Sequence, residues 1–374
     1  MTRNSSPCGQ AKDDPELLEG MMADLRASPG IYHPGNYWTN YERYVLPELR
    51  RHGLHDFRRR GDTLFNTFGA VDLIPSTLAV ARNPRSRRLG LRKGLARWAL
   101  KIPVTRRGLD QIGSMMRGGN LDDHRRLRFS YARWYGAARG ARPLEALNAS
   151  IIGNPEDLFV MDEHTYTLSL LRYYLEYAYC CHFVQFDALS SVMEIGSGMG
   201  KQVEVLRKLH GRLCFYLFDI PPQIYVCEQY LSAVFPGSVV GYRETRRLAR
   251  LPAPEPGKIF IFGTWRLPEL AGLSWDLHWN STSYEEMEAG QTLNFLKYVN
   301  SYTSRHVFLQ ERMEGMVQAR AAGQHGVLTP TRLEHYRQGL PAFRMLDLSD
   351  GPDPTTWSSF QCSLWKRTDC SLST

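Results

Sequence analysis

Three glycines alternate directly after a short apolar run in the segment SSVMEIGSGMGKQVEVL, residues 190–206. A dinucleotide fingerprint that starts at Gly196 needs another glycine at position 201, where Lys201 stands. A phosphate-binding loop that ends at Gly200 needs a glycine at 195 and a hydroxyl at 202, and the chain has neither. The loop is therefore built for a different ligand.

An acid at a predicted strand end, Glu194, precedes this loop. Glycines let the backbone approach a ligand closely, and a carboxylate at the strand end is suited to meet a cationic amine. The next predicted strand, YLFDI, ends in Asp219, where a carboxylate is placed to accept hydrogen bonds from two ribose hydroxyls. The alternative for Asp219 is a cap on the following helix.

This combination of loop, second acid and alternating elements resembles the cofactor site of class I S-adenosylmethionine-dependent methyltransferases. The resemblance implies that the cofactor is S-adenosyl-L-methionine. The expected cofactor-binding residues are the loop, the strand ends and the segments that follow them: Glu194, Gly196, Ser197, Gly198, Gly200, Asp219, Ile220, Thr264, Trp265 and Asn280.

A narrower resemblance links the chain to bacterial sugar O-methyltransferases. The similar stretches are IYHPGNYW, GNPED, MEIGSGMG, FDIPP, EQYLSAVFP and WNSTSYEEM, which together extend over about residues 30 to 315. The resemblance implies methylation of a sugar hydroxyl on a nucleotide sugar, a glycan or a glycosylated metabolite.

Methyl transfer to a hydroxyl requires a group that removes its proton. His278, in WDLHWN, is one candidate because an unperturbed histidine titrates near working pH; a hydrogen-bonded core histidine is the alternative. Asn280 follows at the carboxyl end of the same predicted strand, where open α/β sheets bind ligands, and is expected to contact substrate or cofactor.

Two glutamates are further base candidates. Glu286 forms a capping-box pattern with Ser283, which alone explains both residues, whereas the family resemblance implies that they face the substrate. Glu311 ends the predicted strand HVFLQE, where ordinary solvent exposure is the alternative. Tyr166, assigned to the helix before the glycine loop, is either a substrate contact that closes over the site or an aromatic core residue.

Strands and helices alternate from about residue 190 onward, which predicts a doubly wound, mostly parallel sheet of the Rossmann-like type. The family resemblance implies seven strands. The last two candidates, AFRMLDLS and FQCSLWKR, are expected to form an antiparallel hairpin at the sheet edge. Residues 1–150 are predicted to form a mainly helical N-terminal region serving as a lid, substrate or dimerisation element, and residues 151–374 the methyltransferase domain.

The formal net charge of +8 is concentrated in one segment of the 374-residue chain. Residues 82–107 contain ten Lys or Arg and no acid, so the remainder carries −2. Apolar residues at helical spacing predict a basic amphipathic helix in this segment. It either packs on the core or binds an anionic partner, which is a phosphorylated substrate, a membrane surface or nucleic acid. No nucleic-acid partner is expected, since a methylating NPP[YF] turn needs prolines where Ser281 and Thr282 stand.

Seven scattered cysteines, without CxxC pairs or a metal-ligand spacing, favour reduced thiols and a cytoplasmic location. No secretion signal or membrane span is expected, and catalysis is predicted to be metal-independent. A homodimer is a further expectation. The alternatives to sugar methylation are an O-methyltransferase of a non-sugar small molecule and a non-catalytic, cofactor-binding regulatory protein.

Overall fold

The computed structural model describes residues 10–59, 121–353 and 360–368. Its strands form a small antiparallel hairpin, β1 (Phe159–Met161) and β2 (His164–Tyr166), and one large sheet. The strands of the large sheet are β3 (Ser191–Ile195), β4 (Cys214–Asp219), β5 (Val239–Val240), β6 (Ile259–Gly263), β7 (Trp275–Ser281), β8 (Thr303–Glu311), β9 (Phe343–Asp350) and β10 (Gln361–Arg367).

The large sheet has the order β5-β6-β4-β3-β7-β8-β10-β9, and all its pairs from β5 to β8 are parallel. Every residue of β3, β4 and β6 is buried, as expected for parallel strands with both faces covered. The predicted doubly wound, Rossmann-like fold is confirmed. The sheet has eight strands rather than the expected seven, because the two-residue strand β5 pairs with β6 at one edge of the sheet.

The predicted hairpin at the sheet edge is also confirmed. Strand β10 runs antiparallel to both of its neighbours, β8 and β9, and lies between them. The order of the strands reverses between β3 and β7. After β3, the next strands of the chain add on the β4 side of β3, and the chain then crosses over so that β7 pairs on the other side of β3. Open α/β sheets bind ligands in the crevice at such a reversal.

Nine α-helices are present in the described residues, some beside the sheet and others in the N-terminal region. They are α1 (Pro15–Ala27), α2 (Asn36–His52), α3 (Leu121–Ala138), α4 (Leu168–Cys181), α5 (Lys201–Leu209), α6 (Gln223–Val234), α7 (Tyr242–Thr245), α8 (Ala289–Tyr302) and α9 (Leu333–Gly339). Helix α1 begins at a clear cap: Asp14 is the N-cap, its side chain accepts from the Leu17 amide, and Pro15 occupies the first position.

The N-terminal helices pack directly on the sheet-containing part of the chain. The Asp14 amide donates to the Tyr225 hydroxyl at 2.7 Å, and Asp24 accepts from Tyr242 at 2.6 Å and Arg246 at 2.9 Å. One buried apolar cluster extends from Ala11 to Trp365. The apolar core therefore continues across residue 150, and the division into two domains there stays a prediction.

Two other expectations concern surfaces. The basic segment 82–107 lies outside the described residues. Among the helices that the structure describes, none is long and apolar enough to cross a membrane.

Candidate functional site

A cleft opens at the carboxyl ends of the parallel strands, at the point where the strand order reverses. Strands β3, β4 and β7 contribute residues at or just after their ends, including Glu194, Asp219 and Ser281. The cleft is also lined by residues of α8 and by residues of the segment 30–38, here called the N-terminal strap. The stretches IYHPGNYW and MEIGSGMG, which are far apart in the sequence, thus contribute residues to the same cleft.

The glycine loop requires glycine for its shape. Gly196, Gly198 and Gly200 have φ values of 77°, 54° and 84°, a region that other residues rarely adopt. A Cβ on Gly196 would overlap the side chain of Ser283, and one on Gly200 would lie 2.8 Å from Leu231. Gly196, Ser197 and Gly198 line the cleft, whereas Gly200 supports the loop from behind as the N-cap of α5.

The two acids predicted to bind the cofactor both line the cleft. Burial, Asp219 and Glu176 raise the pKa of Glu194 well above its ordinary value. Burial also raises the pKa of Asp219 to about 7, although its carboxylate accepts from the amides of Ile220 at 2.7 Å and Gly198 at 2.9 Å. A bound cation or hydroxyl donor would favour the ionised form of both acids.

Three buried polar side chains of the cleft wall have atoms without a hydrogen-bond partner in the described part of the chain. They are both amide atoms of Gln202, both amide atoms of Gln223, and the hydroxyl of Thr264. These residues are only 2–3% exposed. Because buried polar groups are almost always hydrogen-bonded, the cleft is shaped for a ligand that supplies donors and acceptors.

The N-terminal strap is fixed to the start of α8. Gln291 donates to the carbonyl of His33 at 2.6 Å, and the Asn36 amide donates to Glu288 at 3.2 Å. These bonds place Tyr32, His33 and Trp38 along the cleft. The strap is therefore an integral wall of the site.

Glu286 joins the strap to the segment after β7. Its carboxylate lines the cleft and accepts from the indole Nε1 of Trp38 at 3.1 Å. Burial and the neighbouring Glu285 raise the pKa of Glu286 well above its ordinary value. A carboxylate with a raised pKa, open to a cleft, is suited to remove a proton from a bound hydroxyl.

The predicted capping box between Ser283 and Glu286 is wrong. The Ser283 hydroxyl donates to the Ile195 carbonyl at 3.0 Å and accepts from the Asn280 amide at 2.7 Å, so it is not free to cap a helix. A short 3-10 turn covers Tyr284–Glu286, and α8 begins only at Ala289. The box that does form there is made by Glu288 and Gln291.

His278 lies in the core rather than along the cleft. It is completely buried on β7, and its Nε2 lies 3.0 Å from the hydroxyl of Tyr284. Burial lowers the pKa of His278 to about 3, so it stays neutral near neutral pH. This placement favours the core interpretation over the base role.

Asn280, two residues further on the same strand, lies behind the cleft wall. Its side-chain amide donates to the Ile195 carbonyl at 2.7 Å and to Ser283 at 2.7 Å. It therefore holds the end of β3 against the end of β7 and positions the glycine loop. Ser283 itself lines the cleft, as does Ile220.

Three other predicted residues lie outside the cleft lining. Glu311 is buried and accepts from the amides of Tyr284 at 3.3 Å and Glu285 at 3.0 Å, so the predicted alternative of solvent exposure is wrong. Tyr166 belongs to β2 rather than to a helix, and its buried hydroxyl donates to the Leu144 carbonyl. Trp265 packs edge-on against Tyr242, while the adjacent Thr264 faces the cleft.

Three residues of the cleft lining are not among the residues predicted from the sequence. Gln202 and Gln223 each lie within the first two positions of a helix after a strand end, and Arg172 lies on α4. The position of the two glutamines, directly after candidate cofactor loops, is the only signal that could have identified them. Nothing distinguishes Arg172 within its aromatic-rich helix.

Neither a protein-family model nor a curated protein sequence matches this chain. Solved structures are similar to parts of it. The mitomycin 7-O-methyltransferase MmcR has a TM-score of 0.37 at 13% identity over 54% of each chain. Magnesium protoporphyrin IX methyltransferase (ChlM) from Synechocystis PCC 6803, with bound S-adenosylmethionine, has a TM-score of 0.31 at 14% identity, over 47% of this chain and 69% of its own.

An S-adenosylmethionine-dependent methyltransferase from Clostridium acetobutylicum ATCC 824 has a TM-score of 0.36 at 10% identity, over 53% of this chain and 91% of its own. The chain spans little more than half the length of MmcR. At these identities and TM-scores the likeness does not establish an activity. The function has to be inferred from the residues of this chain.

Proposed function

We propose that this protein is an S-adenosylmethionine-dependent O-methyltransferase that methylates a sugar hydroxyl. The observation that carries the proposal is the meeting of Glu194, the glycine loop and Asp219 in one cleft. The partnerless amides of Gln202 and Gln223 support it, because they call for a polar ligand.

The residues present fit this cofactor. Glu194 would hold the amino group, Asp219 the ribose hydroxyls, and Thr264 the region of the adenine. When bound, S-adenosylmethionine supplies an electrophilic methyl group on a sulfonium. The protein has then to orient the acceptor hydroxyl and remove its proton.

Glu286 is the proposed general base. Of the three base candidates, it alone lines the cleft, whereas His278 and Glu311 are buried behind it. The Oε2 atom of Glu286 accepts a hydrogen bond from Nε1 of Trp38 at 3.1 Å, and this bond holds the carboxylate in one orientation. The raised pKa makes it a stronger base than an exposed glutamate.

The residues that line the cleft with Glu286 suit a ring-shaped acceptor that carries hydroxyl groups. Tyr32, Trp38 and Phe295 present aromatic side chains there, and His33 and Gln291 add polar ones. Aromatic faces pack against apolar ring surfaces, while the polar groups suit hydroxyls. The same aromatic lining favours a phenolic ring as a second candidate acceptor.

Transfer of a radiolabelled methyl group from S-adenosylmethionine tests the proposal. The acceptor panel contains nucleotide sugars, free glycosides and phenols, and Glu286→Gln is assayed beside the wild type. We expect labelled sugar with the wild type, and a loss of at least about 100-fold with a variant that still binds S-adenosylhomocysteine.

Methylation of phenols without methylation of any carbohydrate would contradict the sugar assignment. Cofactor binding without transfer to any acceptor would favour the regulatory alternative. The cytoplasmic location, metal independence, homodimer and absence of a nucleic-acid partner stay predictions.

A further inference from the structure

The turn that carries Glu286 is capped by a residue of a neighbouring strand. Glu311, the last residue of β8, is completely buried. Its Oε1 atom accepts from the Tyr284 amide at 3.3 Å, and its Oε2 atom accepts from the Glu285 amide at 3.0 Å. The first amides of a helical turn have no partner within the turn, and Ser283 supplies no side-chain cap here. Both oxygens of Glu311 are therefore engaged by the start of the turn that ends at Glu286.

A second contact joins the same two segments in the opposite direction. The Glu285 carboxylate accepts from the backbone amide of Arg312 at 2.7 Å and pairs with Nη1 of Arg312 at 2.9 Å. The four residues Tyr284, Glu285, Glu311 and Arg312 are here called the β8 clamp. Because Glu285 is held at the strand end and is only 2% exposed, Glu286 is the member of this adjacent pair that lines the cleft.

The β8 clamp is an expensive way to fasten a turn. It buries the carboxyl groups of Glu285 and Glu311 in the interior, where unpaired polar and charged groups are unfavourable. Burial and the neighbouring Glu285 raise the pKa of Glu311 well above its ordinary value. Acids perturbed in this way concentrate at functional sites, which favours a role beyond stability.

Proton removal by Glu286 depends on its position. A general base has to lie within about 2.6–3.2 Å of the hydroxyl whose proton it takes. A misplacement of about 1 Å costs on the order of 100-fold in rate. Trp38 holds the carboxylate of Glu286 at 3.1 Å, and the β8 clamp holds the backbone from which that side chain extends.

We propose that Glu311 is a positioning residue for methyl transfer, which holds the turn so that Glu286 reaches the acceptor hydroxyl. The inference rests on the proposed function, in which Glu286 is the general base. Glu311 lies outside the cleft lining, so it acts through Glu286 rather than on the acceptor. Its replacement is therefore expected to lower kcat while the affinities for cofactor and acceptor are kept.

Glu311→Gln and Glu311→Met test this role, because Gln keeps one acceptor oxygen at the same size and Met keeps none. Asp276→Asn is the matched control. The Asp276 carboxylate also accepts from two consecutive amides, those of Ser190 at 2.6 Å and Ser191 at 3.3 Å. These contacts lie at the amino ends of β3 and β7, whereas the cleft lies at their carboxyl ends.

The measurements are kcat and KM for the acceptor found in the radiolabel assay, and the affinity for S-adenosylhomocysteine. We expect kcat to fall about 10-fold in Glu311→Gln and about 100-fold in Glu311→Met, with KM and the affinity within about threefold of the wild-type values. Asp276→Asn should keep kcat within about twofold, because its contacts do not hold Glu286.

A double variant separates positioning from a general loss of structure. In a Glu286→Gln background, Glu311→Gln should change kcat by less than about twofold, because a residue that acts through another has no further effect once that group is replaced. Hydrogen exchange supplies a readout that needs no activity. The amides of Tyr284 and Glu285 should exchange slowly in the wild type and at least about 10-fold faster in Glu311→Met.

Equal kcat values for Glu311→Gln and Asp276→Asn would overturn the positioning role. So would a full effect of Glu311→Gln in the Glu286→Gln background, and a loss in Glu311→Met beyond that of Glu286→Gln would make Glu311 itself the base, against the proposal. If both Glu311 variants are unfolded by circular dichroism, rapid exchange of the Tyr284 and Glu285 amides in the wild type overturns it instead.

Failure of the proposed function gives a different result. A wild type that methylates no acceptor contradicts that function, whatever the Glu311 variants do. Unchanged exchange of the two amides in Glu311→Met contradicts the β8 clamp, whether or not the wild type is active.

Discussion

Replacing Gly196 by alanine tests whether the glycine loop is packed as described. A Cβ at this position would overlap Oγ and Cβ of Ser283, and the backbone has a φ of 77°. The Ser283 hydroxyl is held by the Ile195 carbonyl and the Asn280 amide, so it cannot move without losing bonds. Gly140→Ala is the matched control, because Gly140 has a φ of 69° but nothing within 4 Å of an added Cβ.

The two variants share the backbone strain and differ in the overlap. The left-handed conformation costs a non-glycine residue about 1–2 kcal/mol in either variant. Overpacking adds about 1–3 kcal/mol at Gly196 alone. Loss of the two hydrogen bonds of Ser283 adds about 0.5–1.5 kcal/mol each. Gly196→Ala should therefore be about 2–6 kcal/mol less stable than Gly140→Ala.

Urea denaturation followed by circular dichroism measures this difference in the free energy of unfolding. Titration with S-adenosylhomocysteine of whatever folded protein remains should show weakened binding, because Gly196 lines the cleft. Equal stability of the two variants, within about 1 kcal/mol, would refute the described contact between the loop and Ser283.

Three further substitutions give distinct expected results. Burial raises the pKa of Asp219 from 3.8 to about 7, so the folded protein holds an extra proton between these pH values and its stability falls as the pH rises through them. In urea denaturation from pH 4 to 8, Asp219→Asn should not show this decrease in stability, which amounts to about 4 kcal/mol at most in the wild type. An unchanged pH profile would contradict the burial of Asp219. Burial lowers the pKa of His278 from 6.5 to about 3, so the stability of the protein falls as the pH drops through that range. His278→Gln should weaken this pH dependence and leave the affinity for S-adenosylhomocysteine within about threefold of the wild-type value. A large loss of affinity would indicate that His278 belongs to the binding site. Thr264→Val should weaken that affinity about 2- to 10-fold by calorimetry, and no change would remove Thr264 from the adenine region.

The fold could be predicted because its signals are local. Strands buried on both faces appear as continuous apolar runs such as LCFYLFD, and the glycine loop and Asp219 follow their strands directly. The start of α1 at Pro15, after the Asp14 cap, depends on adjacent residues in the same way. Each of these features is determined within a few residues of sequence.

The side chains that complete the site depend on contacts over long distances in the chain. The sequence WDLHWN made His278 a candidate base but did not reveal that Tyr284 and the core cover it. The Ser283 pattern predicted a helix cap, yet the Ile195 carbonyl on a neighbouring strand accepts from that hydroxyl. The bond between Trp38 and Glu286 joins residues that only the tertiary fold brings together.

Calorimetric titration with S-adenosylhomocysteine, with NAD in a parallel experiment, tests the central claim most directly. The account predicts micromolar binding of S-adenosylhomocysteine alone, and loss of that binding in Asp219→Ala, because Asp219 ends β4 inside the cleft. Absence of binding, or a preference for NAD, would contradict the assignment of the glycine loop and the function inferred from it.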